Sequence, residues 1–316
     1  MAGSPPRTPR GPDVPELPEV EVVRAGLAPA VTGARIEGVE VLDVRSLSRH
    51  TGGPEDFEAT LVGRTLGVPA RRGKFLWVPL EGEIGAHGSD MHRPEALLAH
   101  LGMSGQMLVR EPGAPADRHT RIRLLLDQPA LHPSGHGPVE VRFADQRLFG
   151  GLAVRPTVDG VPDQAAHIAL DPIDPAFDAS AVARRLRMRR QGVKAALLDQ
   201  TLVSGIGNIY ADEALWRSRL HYATPGERLT QARALALLAD VRDVLDLALA
   251  EGGTSFDAQY VNVNGQAGYF AHSLNAYGRG GLPCPRCGST MVREPWANRS
   301  STRCPRCQRR PRGLAV

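Results

Sequence analysis

Residues 198–213 decide the fold of the second half of the chain, and they read Leu198-Asp199-Gln200-Thr201-Leu202-Val203-Ser204-Gly205-Ile206-Gly207-Asn208-Ile209-Tyr210-Ala211-Asp212-Glu213. The stretch has the pattern of a helix, a glycine-rich turn and a second helix. Such a turn leaves backbone N–H groups free at the start of the second helix, where an anion binds readily. The pattern therefore predicts an anion-binding turn, although Gly-x-Gly-Asn alone is a weak signal.

The regions on either side of this turn have two different periodicities. Ala181–Leu198 is a basic amphipathic stretch, and Ala232–Leu249 is rich in Ala and Leu and is expected to be a core helix. Residues 156–177 are rich in Pro and Asp and mark a domain boundary. Before them, Arg35–Leu80 alternates apolar and polar residues between glycines and prolines, which indicates short strands. We expect an α+β protein of two domains.

The four cysteines of the chain form two C-x2-C pairs near its end, namely Cys284 with Cys287 and Cys304 with Cys307. Sixteen residues separate the pairs, a spacing that suits a four-thiolate tetrahedral zinc site. Two disulfides are the alternative. A zinc ion held by four thiolates has no open position for water, so the predicted role of the metal is structural.

Composition suits a soluble protein of about two domains. The 316 residues are 42% hydrophobic and 23% charged, and the formal charge of +4 and pI near 9.1 fit a polyanionic partner only weakly. No apolar run approaches the roughly 18 residues of a membrane span. Basic residues cluster in two patches that could follow a phosphate backbone or be ordinary solvated charge. The patches contain Arg184, Arg185, Arg187, Arg189, Arg190 and Lys194, then Arg279, Arg286, Arg293, Arg299, Arg303, Arg306, Arg309, Arg310 and Arg312.

Lysine occurs only twice, as Lys74 and Lys194. Lysine can lose its proton at accessible pH and arginine effectively cannot, so proton-transfer chemistry is one reason to retain it. Lys74 follows Arg71-Arg72-Gly73 between two strand-like runs, which predicts a position at a hairpin tip. A solvated lysine without function is the alternative.

The first ordered segment is predicted to begin with Pro15-Glu16-Leu17-Pro18-Glu19-Val20-Glu21. Prolines and acidic residues suit a first helical turn, so a helix start alone explains this composition. The segment also resembles the N-terminus of the formamidopyrimidine-DNA glycosylases and their relatives, the endonuclease VIII enzymes. Three further stretches resemble motifs of that family in the same order: His100–Gly105, Arg142–Gly150 and residues 198–213. The cysteine pairs complete the series.

The resemblance implies an N-terminal β-sandwich-like domain with flanking helices, a helix–two-turn–helix domain and a zinc-ribbon hairpin. We expect a disordered leader in 1–14, the sandwich in 15–158 and a linker in 159–172. The helical domain would occupy 173–252, and a lesion loop with the zinc finger 253–316. The loop is expected at Thr254–Phe270. Residues 81–97 read as a polar loop to which we assign no function.

The resemblance also implies site residues. Pro15 would be the nucleophile and Glu16 an acid catalyst, while Lys74 assists base removal and Arg299, at the hairpin tip, promotes the second elimination. The resemblance further implies DNA contacts at two turns: Met103 would fill the space of an extruded nucleotide, Phe149 would wedge into the base stack, and Arg147 would pair with the orphaned base. His119 and Asn208 would contact phosphates, and Arg189 and Lys194 match further basic DNA-contacting positions of the family.

One departure from the family concerns the nucleophile. Fourteen residues precede Pro15, which makes its nitrogen an amide without a lone pair for attack. We hypothesise that Val14 marks the true start, a GTG codon read as initiator Met that is then removed. Proteolytic removal of the leader is a second possibility, and a masked, inactive paralogue is a third.

The implied activity is that of a bifunctional DNA glycosylase and AP lyase of base excision repair, acting on 8-oxoguanine and formamidopyrimidines. An endonuclease VIII-like preference for oxidised pyrimidines is the alternative within the family. A non-catalytic damaged-DNA binder and a plain zinc-ribbon protein are the alternatives outside it. The expected partner is damaged double-stranded DNA, with no membrane; the expected state is a monomer in the bacterial cytoplasm.

Overall fold

A computed structural model describes residues 15–82, 94–127, 137–254, 263 and 270–313. These residues fall into two compact units. The first unit comprises Pro15–Asp171 and Leu247–Ala271, and the second comprises Pro172–Asp246 and His272–Val316. The predicted leader 1–14 and nearly all of the predicted lesion loop lie outside the described residues. The domain limits expected at 158, 172 and 252 remain predictions.

The described part of the first unit contains ten strands and, within Pro15–Asp171, two α-helices. The strands are β1 (Ile36–Val41), β2 (Thr65–Leu66), β3 (Ala70–Arg72), β4 (Phe75–Glu81), β5 (Glu95–His100), β6 (Gly105–Arg110), β7 (Thr120–Leu126), β8 (Val139–Asp145), β9 (Gly151–Val158) and β10 (Val161–Pro162). One antiparallel sheet has the order β1-β7-β8-β6, and the other has the order β10-β9-β5-β4-β2 with β3 paired to β4. The helices are α1 (Leu17–Val31) and α2 (Gly53–Leu61).

A single apolar core joins the two sheets. It contains Ile122 and Phe143 from one sheet and Leu76 and Leu97 from the other, all nearly inaccessible to solvent. The predicted β-sandwich is therefore confirmed. Alternating burial along β7 places one face of that strand in this core.

Helix α1 packs against the same core as the two sheets. Its buried side chains recur at helical spacing, as Val20, Val23, Leu27 and Val31. Burial of each such side chain contributes roughly 1.5–3 kcal/mol. The helix predicted from the sequence beginning at Pro15 is confirmed, and its start is fixed to the sandwich.

Two of the predicted loops are shorter than expected. Glu81 ends β4 and Glu95 begins β5, so the predicted 81–97 loop loses both of its ends to paired strands. The Pro- and Asp-rich connector of 156–177 also begins within strands, because Pro156 lies in β9 and Pro162 in β10. Proline is tolerated at the edges and ends of strands, where no ladder donor is needed.

The second unit contains α3 (Ala179–Arg187), α4 (Val193–Leu198), α5 (Asn208–Arg217), α6 (Gln231–Ala250, within this unit through Asp246) and a hairpin of β11 (Val292–Trp296) and β12 (Arg299–Arg303). Helix α6 confirms the predicted Ala/Leu helix. The basic stretch Ala181–Leu198 is not one helix, since it breaks before Gly192. A Cβ at Gly192 would lie 2.7 Å from the carbonyl oxygen of Tyr222, so the chain there passes close to another segment.

Candidate active site

The start of α1 is held by a buried carboxylate. The backbone N–H of Glu16 donates to Oε2 of Glu19 at 2.9 Å, and Oε1 of Glu19 accepts the N–H of Thr254 at 2.7 Å. Pro15, Glu16 and Glu19 are all buried. Glu19 therefore fixes the two predicted catalytic residues and, in the same unit, the residue at which the predicted lesion loop begins.

Lys74 lies where the sequence predicted, in the two-residue turn between β3 and β4. An ion network ties this hairpin to α1. Nε of Arg71 donates to Oε2 of Glu21 at 2.6 Å, and its Nη1 donates to Oδ2 of Asp171 at 2.6 Å. Burial alone would raise the pKa of Glu21, but hydrogen bonds and positive charge from Arg24 and Arg71 lower it. Glu21 is therefore held as a carboxylate.

Two turns at one edge of the sandwich share a buried carboxylate. Oδ1 of Asp145 accepts a short hydrogen bond from the Ser104 hydroxyl and another from the N–H of Arg147 at 3.0 Å. Its Oδ2 accepts the N–H of Gly150 at 2.8 Å. Asp145 is completely buried. One side chain thus fixes residues 102–104 and residues 146–150 against each other.

The predicted wedge residues project from these two turns. Phe149 is 55% exposed and therefore does not belong to the apolar core. Arg147 is exposed and Met103 is half-buried. Leu148 between Arg147 and Phe149 has a φ of 57°, a left-handed conformation that is costly for a residue with a Cβ. Strain of this kind persists only where surrounding contacts impose it, as Asp145 does here.

His119 lies beside the same turns. Its carbonyl oxygen accepts the N–H of Asp145 at 2.9 Å, and its side chain is half-buried immediately before β7. The neighbouring His100 accepts the N–H of Gly102 on Nδ1 at 3.1 Å. Burial and the charge of Arg49 lower the pKa of His100 to about 4, with Asp145 acting in the opposite direction. His100 is therefore a neutral acceptor that supports the first turn.

In the second unit, Asn208 is the first residue of α5 and follows the glycine-rich turn. Gln200 organises this turn. Its Oε1 accepts the N–H of Gly205 at 2.9 Å, and its Nε2 donates to the carbonyl oxygens of Leu198 and Ile206. Gly205 has a φ of +85°, which only glycine adopts without strain. The predicted helix–turn–helix is confirmed.

Lys194 differs from its prediction. Its ammonium group is fully buried, donating to Oδ1 of Asp212 at 2.7 Å and to the carbonyl oxygen of Ser300 at 3.1 Å. Asp212 also accepts from the Ser301 hydroxyl and the Thr302 N–H. This placement disagrees with the implied direct contact to DNA, because a buried paired ammonium presents no charge to DNA. Lys194 instead connects α4 to the strand that begins at Arg299.

The remaining basic candidates are accessible. Arg299 is exposed beside the two-residue turn of the β11–β12 hairpin, as predicted. Arg189 is half-buried and pairs with Asp199 at 3.2 Å. A further carboxylate, Glu213, was not anticipated from the sequence. It is 3% exposed and accepts the backbone N–H groups of residues 275–277 at 2.7–3.1 Å, which fixes the segment that leads to the cysteines.

The four cysteine sulfurs all lie within 4.8 Å of one another, and all four cysteines are free. Two disulfides are therefore not the arrangement adopted. Four sulfurs about 2.3 Å from a tetrahedral zinc ion would lie about 3.8 Å apart, so this donor set fits zinc. Burial alone would raise the pKa of Cys284, but donors that include the Trp216 indole N–H, at 3.4 Å from the sulfur, lower it.

Comparison with known proteins identifies the family. Residues 14–152 match the formamidopyrimidine-DNA glycosylase N-terminal domain, and residues 168–259 match the formamidopyrimidine-DNA glycosylase H2TH domain. The chain is 56% identical to the formamidopyrimidine-DNA glycosylase of Leifsonia xyli subsp. xyli, with 92% of this chain and 98% of the relative covered. It is 55% identical to that of Streptomyces avermitilis, covering 93% and 97%.

Solved structures agree. The MutM (Fpg) protein of Thermus thermophilus matches with a TM-score of 0.75 at 35% identity, covering 93% of this chain and 98% of that one. The Lactococcus lactis Fpg, solved with DNA containing an abasic site, matches with a TM-score of 0.76 at 28% identity, covering 93% and 100%. The chain belongs to the formamidopyrimidine-DNA glycosylase family. Among the described residues, no helix combines the length and apolarity needed to span a membrane.

The contact between the two turns predicts an unequal response to alanine. A Cβ at Gly102 would lie 2.4 Å from the Gly150 nitrogen, whereas a Cβ at Gly113 meets nothing within 4 Å; both have positive φ. Gly102→Ala should lower the free energy of unfolding by about 2–4 kcal/mol and Gly113→Ala by about 1 kcal/mol. Urea denaturation measures both. Equal losses would show that the turns are not packed as described.

Proposed function

We propose that this member of the formamidopyrimidine-DNA glycosylase family excises oxidised purines from double-stranded DNA and then cleaves the strand as an AP lyase, with the Pro15 amine as nucleophile. Family membership makes it a DNA glycosylase of base excision repair. The observation that supports this particular chemistry is the first unit's arrangement of Pro15 and Glu16 at a buried helix start, linked through Arg71 to the hairpin that carries Lys74.

The chemistry requires a secondary amine. The Pro15 nitrogen attacks C1′ of the extruded nucleotide as the glycosidic bond breaks, and the base departs with the proton that the amine loses. Glu16 supplies the proton that opens the sugar ring, which leaves an iminium ion. The iminium acidifies the C2′ proton, so the 3′ and then the 5′ phosphate leave by successive eliminations. Lys74 transfers protons, and Arg299 stabilises the departing phosphate.

The turns fixed by Asp145 support extrusion of the damaged nucleotide. Met103 would occupy the vacated space, Phe149 would insert beside it, and Arg147 would hydrogen-bond to the orphaned base. Unstacking a base costs a few kcal/mol, which inserted side chains partly offset. A large aromatic ring that is 55% exposed on a strained turn is suited to this task.

The second unit would hold the phosphate backbone. Asn208 and the N-terminus of α5 suit one phosphate, and exposed arginines along and after α3 suit others. They are Arg184, Arg185, Arg187 and Arg190. Each phosphate contact removed should lower the slope of log affinity against log salt by about 0.9. We expect the protein to act as a monomer in the bacterial cytoplasm.

We further propose that the four cysteines hold one structural zinc ion. Cys284 and Cys287 precede β11, and Cys304 and Cys307 follow β12, so the ion would close the open end of the hairpin whose tip carries Arg299. Zinc supplies no reactive position there, because four thiolates complete its tetrahedral coordination. The paired strands β11 and β12 would then hold Arg299 at a fixed distance from the cysteine cluster.

Oxidised pyrimidines are the second candidate substrate class. A mutant of the Lactococcus lactis Fpg has been solved with DNA containing Fapy-dG, and the wild-type protein has been solved with DNA containing an oxidised pyrimidine. We expect single-turnover excision of 8-oxoguanine opposite cytosine to be at least about tenfold faster than excision of thymine glycol, a difference of about 1.4 kcal/mol in activation free energy. The reverse order would support the endonuclease VIII-like alternative.

The state of the Pro15 nitrogen should decide activity. Protein that begins at Pro15 should form a covalent adduct with abasic-site DNA when borohydride reduces the iminium. Protein that retains residues 1–14 should bind the same DNA without forming an adduct, because an amide nitrogen does not attack. Denaturing gel electrophoresis detects the adduct. Equal trapping by both forms would exclude Pro15 as the nucleophile, and trapping by neither would favour a non-catalytic binder.

Zinc retention should depend on Trp216. Trp216→Phe keeps the ring against Arg286, 4.0 Å away, but removes the N–H donated to Cys284. Outer hydrogen bonds of this kind are typically worth 10- to 100-fold in metal affinity, and we expect a loss of about that size in competition with a chromogenic chelator. Trp77→Phe is the matched control, since it removes an indole hydrogen bond to Gly160 in the first unit. Unchanged zinc affinity in Trp216→Phe would contradict this role.

A further inference from the structure

Asp171 is a buried carboxylate in the first unit that the proposed reaction does not use. It is 2% exposed and is the last residue of the segment Pro15–Asp171 of this unit. Its principal partner, Arg71, lies one hundred residues earlier in the chain. Oδ2 accepts from Nη1 of Arg71 at 2.6 Å and from the backbone N–H of Gly73 at 3.2 Å, and Oδ1 lies 3.5 Å from Nη2 of Arg71. These contacts all join Asp171 to the β3–β4 hairpin.

A carboxylate is costly to bury unless it is paired and hydrogen-bonded. Asp171 meets that condition only when Arg71 and Gly73 hold their present positions. Arg71 is itself 8% exposed and uses the other edge of its guanidinium group for Glu21 in α1. A planar guanidinium bound on two edges has little freedom to rotate. Arg71 in β3 is therefore held by Glu21 on one edge of its guanidinium group and by Asp171 on the other.

The bond to Gly73 carries this constraint into the turn. Gly73 has a φ of +56° and is followed directly by Lys74, and Arg72 and Phe75 close the turn as a strand pair. In a two-residue turn, the orientation of the first peptide determines the direction in which the second side chain leaves the backbone. Asp171 thus determines the position from which the Lys74 side chain extends.

We propose that Asp171 is a positioning residue for Lys74. It holds the Gly73–Lys74 turn in the conformation that Lys74 needs during base excision, and it does so without contacting DNA. This inference rests on the proposed function, since Lys74 has its role only in that reaction. A displacement of about 1 Å at a catalytic group can cost about 100-fold in rate.

The test compares Asp171→Ala, Asp171→Asn and Lys74→Ala in protein that begins at Pro15. Single-turnover excision of 8-oxoguanine measures the step that needs Lys74, and borohydride trapping on preformed abasic-site DNA measures Pro15. Asp171→Ala should slow excision about 10- to 100-fold while trapping stays within about twofold of the unsubstituted protein. Asp171→Asn should recover part of the rate, because its amide oxygen still accepts the Gly73 N–H.

The double variant separates positioning from independent effects. If Asp171 acts through Lys74, Lys74→Ala/Asp171→Ala should excise at the rate of Lys74→Ala within about twofold. Losses that multiply would overturn the proposal. The control Asp163→Ala removes an exposed carboxylate paired with Arg155 in the same unit and should excise normally.

Two further outcomes are informative. If both Asp171 variants lose excision and trapping together with their urea unfolding midpoint, the residue has only a general structural role and the proposal fails. If the unsubstituted protein beginning at Pro15 neither excises nor traps, the proposed function itself has failed, which is distinguishable because every variant would then be equally inactive.

Discussion

Buried carboxylates that accept backbone N–H groups are the interaction on which both units depend. The carboxylates are Glu19, Asp145 and Asp171 in the first unit and Asp212 and Glu213 in the second. Asp212 fixes strand β12, and the other four fix segments outside the regular helices and strands. Each carboxylate would be costly to bury without its donors. Because the donors are backbone groups, the carboxylate fixes the path of the chain itself. A turn held in this way can carry an exposed or strained residue without collapsing onto the core.

These carboxylates explain how turns and helix starts can hold proposed catalytic and DNA-contacting side chains in defined positions. The proposed nucleophile stands at a helix start held by Glu19, and the proposed wedge projects from turns held by Asp145. In the second unit, Asp212 accepts hydrogen bonds from the Lys194 ammonium group, the Ser301 hydroxyl and the Thr302 N–H. Ser301 and Thr302 lie two and three residues after Arg299 in β12. Catalytic and binding groups are commonly placed on loops over a rigid scaffold. In this protein, single buried carboxylates fix the loops themselves to the rigid scaffold.

The sequence predicts what is determined locally. Several features depend on residues close together in the sequence, and they lie where expected. They are the helix start at Leu17, the hairpin turns at Lys74 and Arg299, the glycine-rich turn before Asn208 and the cysteine cluster. The DNA contact implied for Lys194 does not fit its burial, which depends on Asp212 and on a hairpin 106 residues away. The role of Asp171 is hidden from the sequence for the same reason, because its partners Gly73 and Arg71 lie 98 and 100 residues distant. Asp145 has two partners within its own motif, but its bond to Ser104 joins turns 41 residues apart, and no short-range pattern marks that contact.

Amide hydrogen exchange tests the central claim most directly. The N–H groups that these carboxylates accept outside the strands belong to Glu16, Gly73, Arg147, Gly150, Thr254, Asn275, Ala276 and Tyr277. Turn amides ordinarily exchange through low-energy local openings, whereas core amides exchange only through large ones. We predict that these eight are protected as strongly as the amides of the central strands. Exchange as fast as that of exposed loop amides would contradict it.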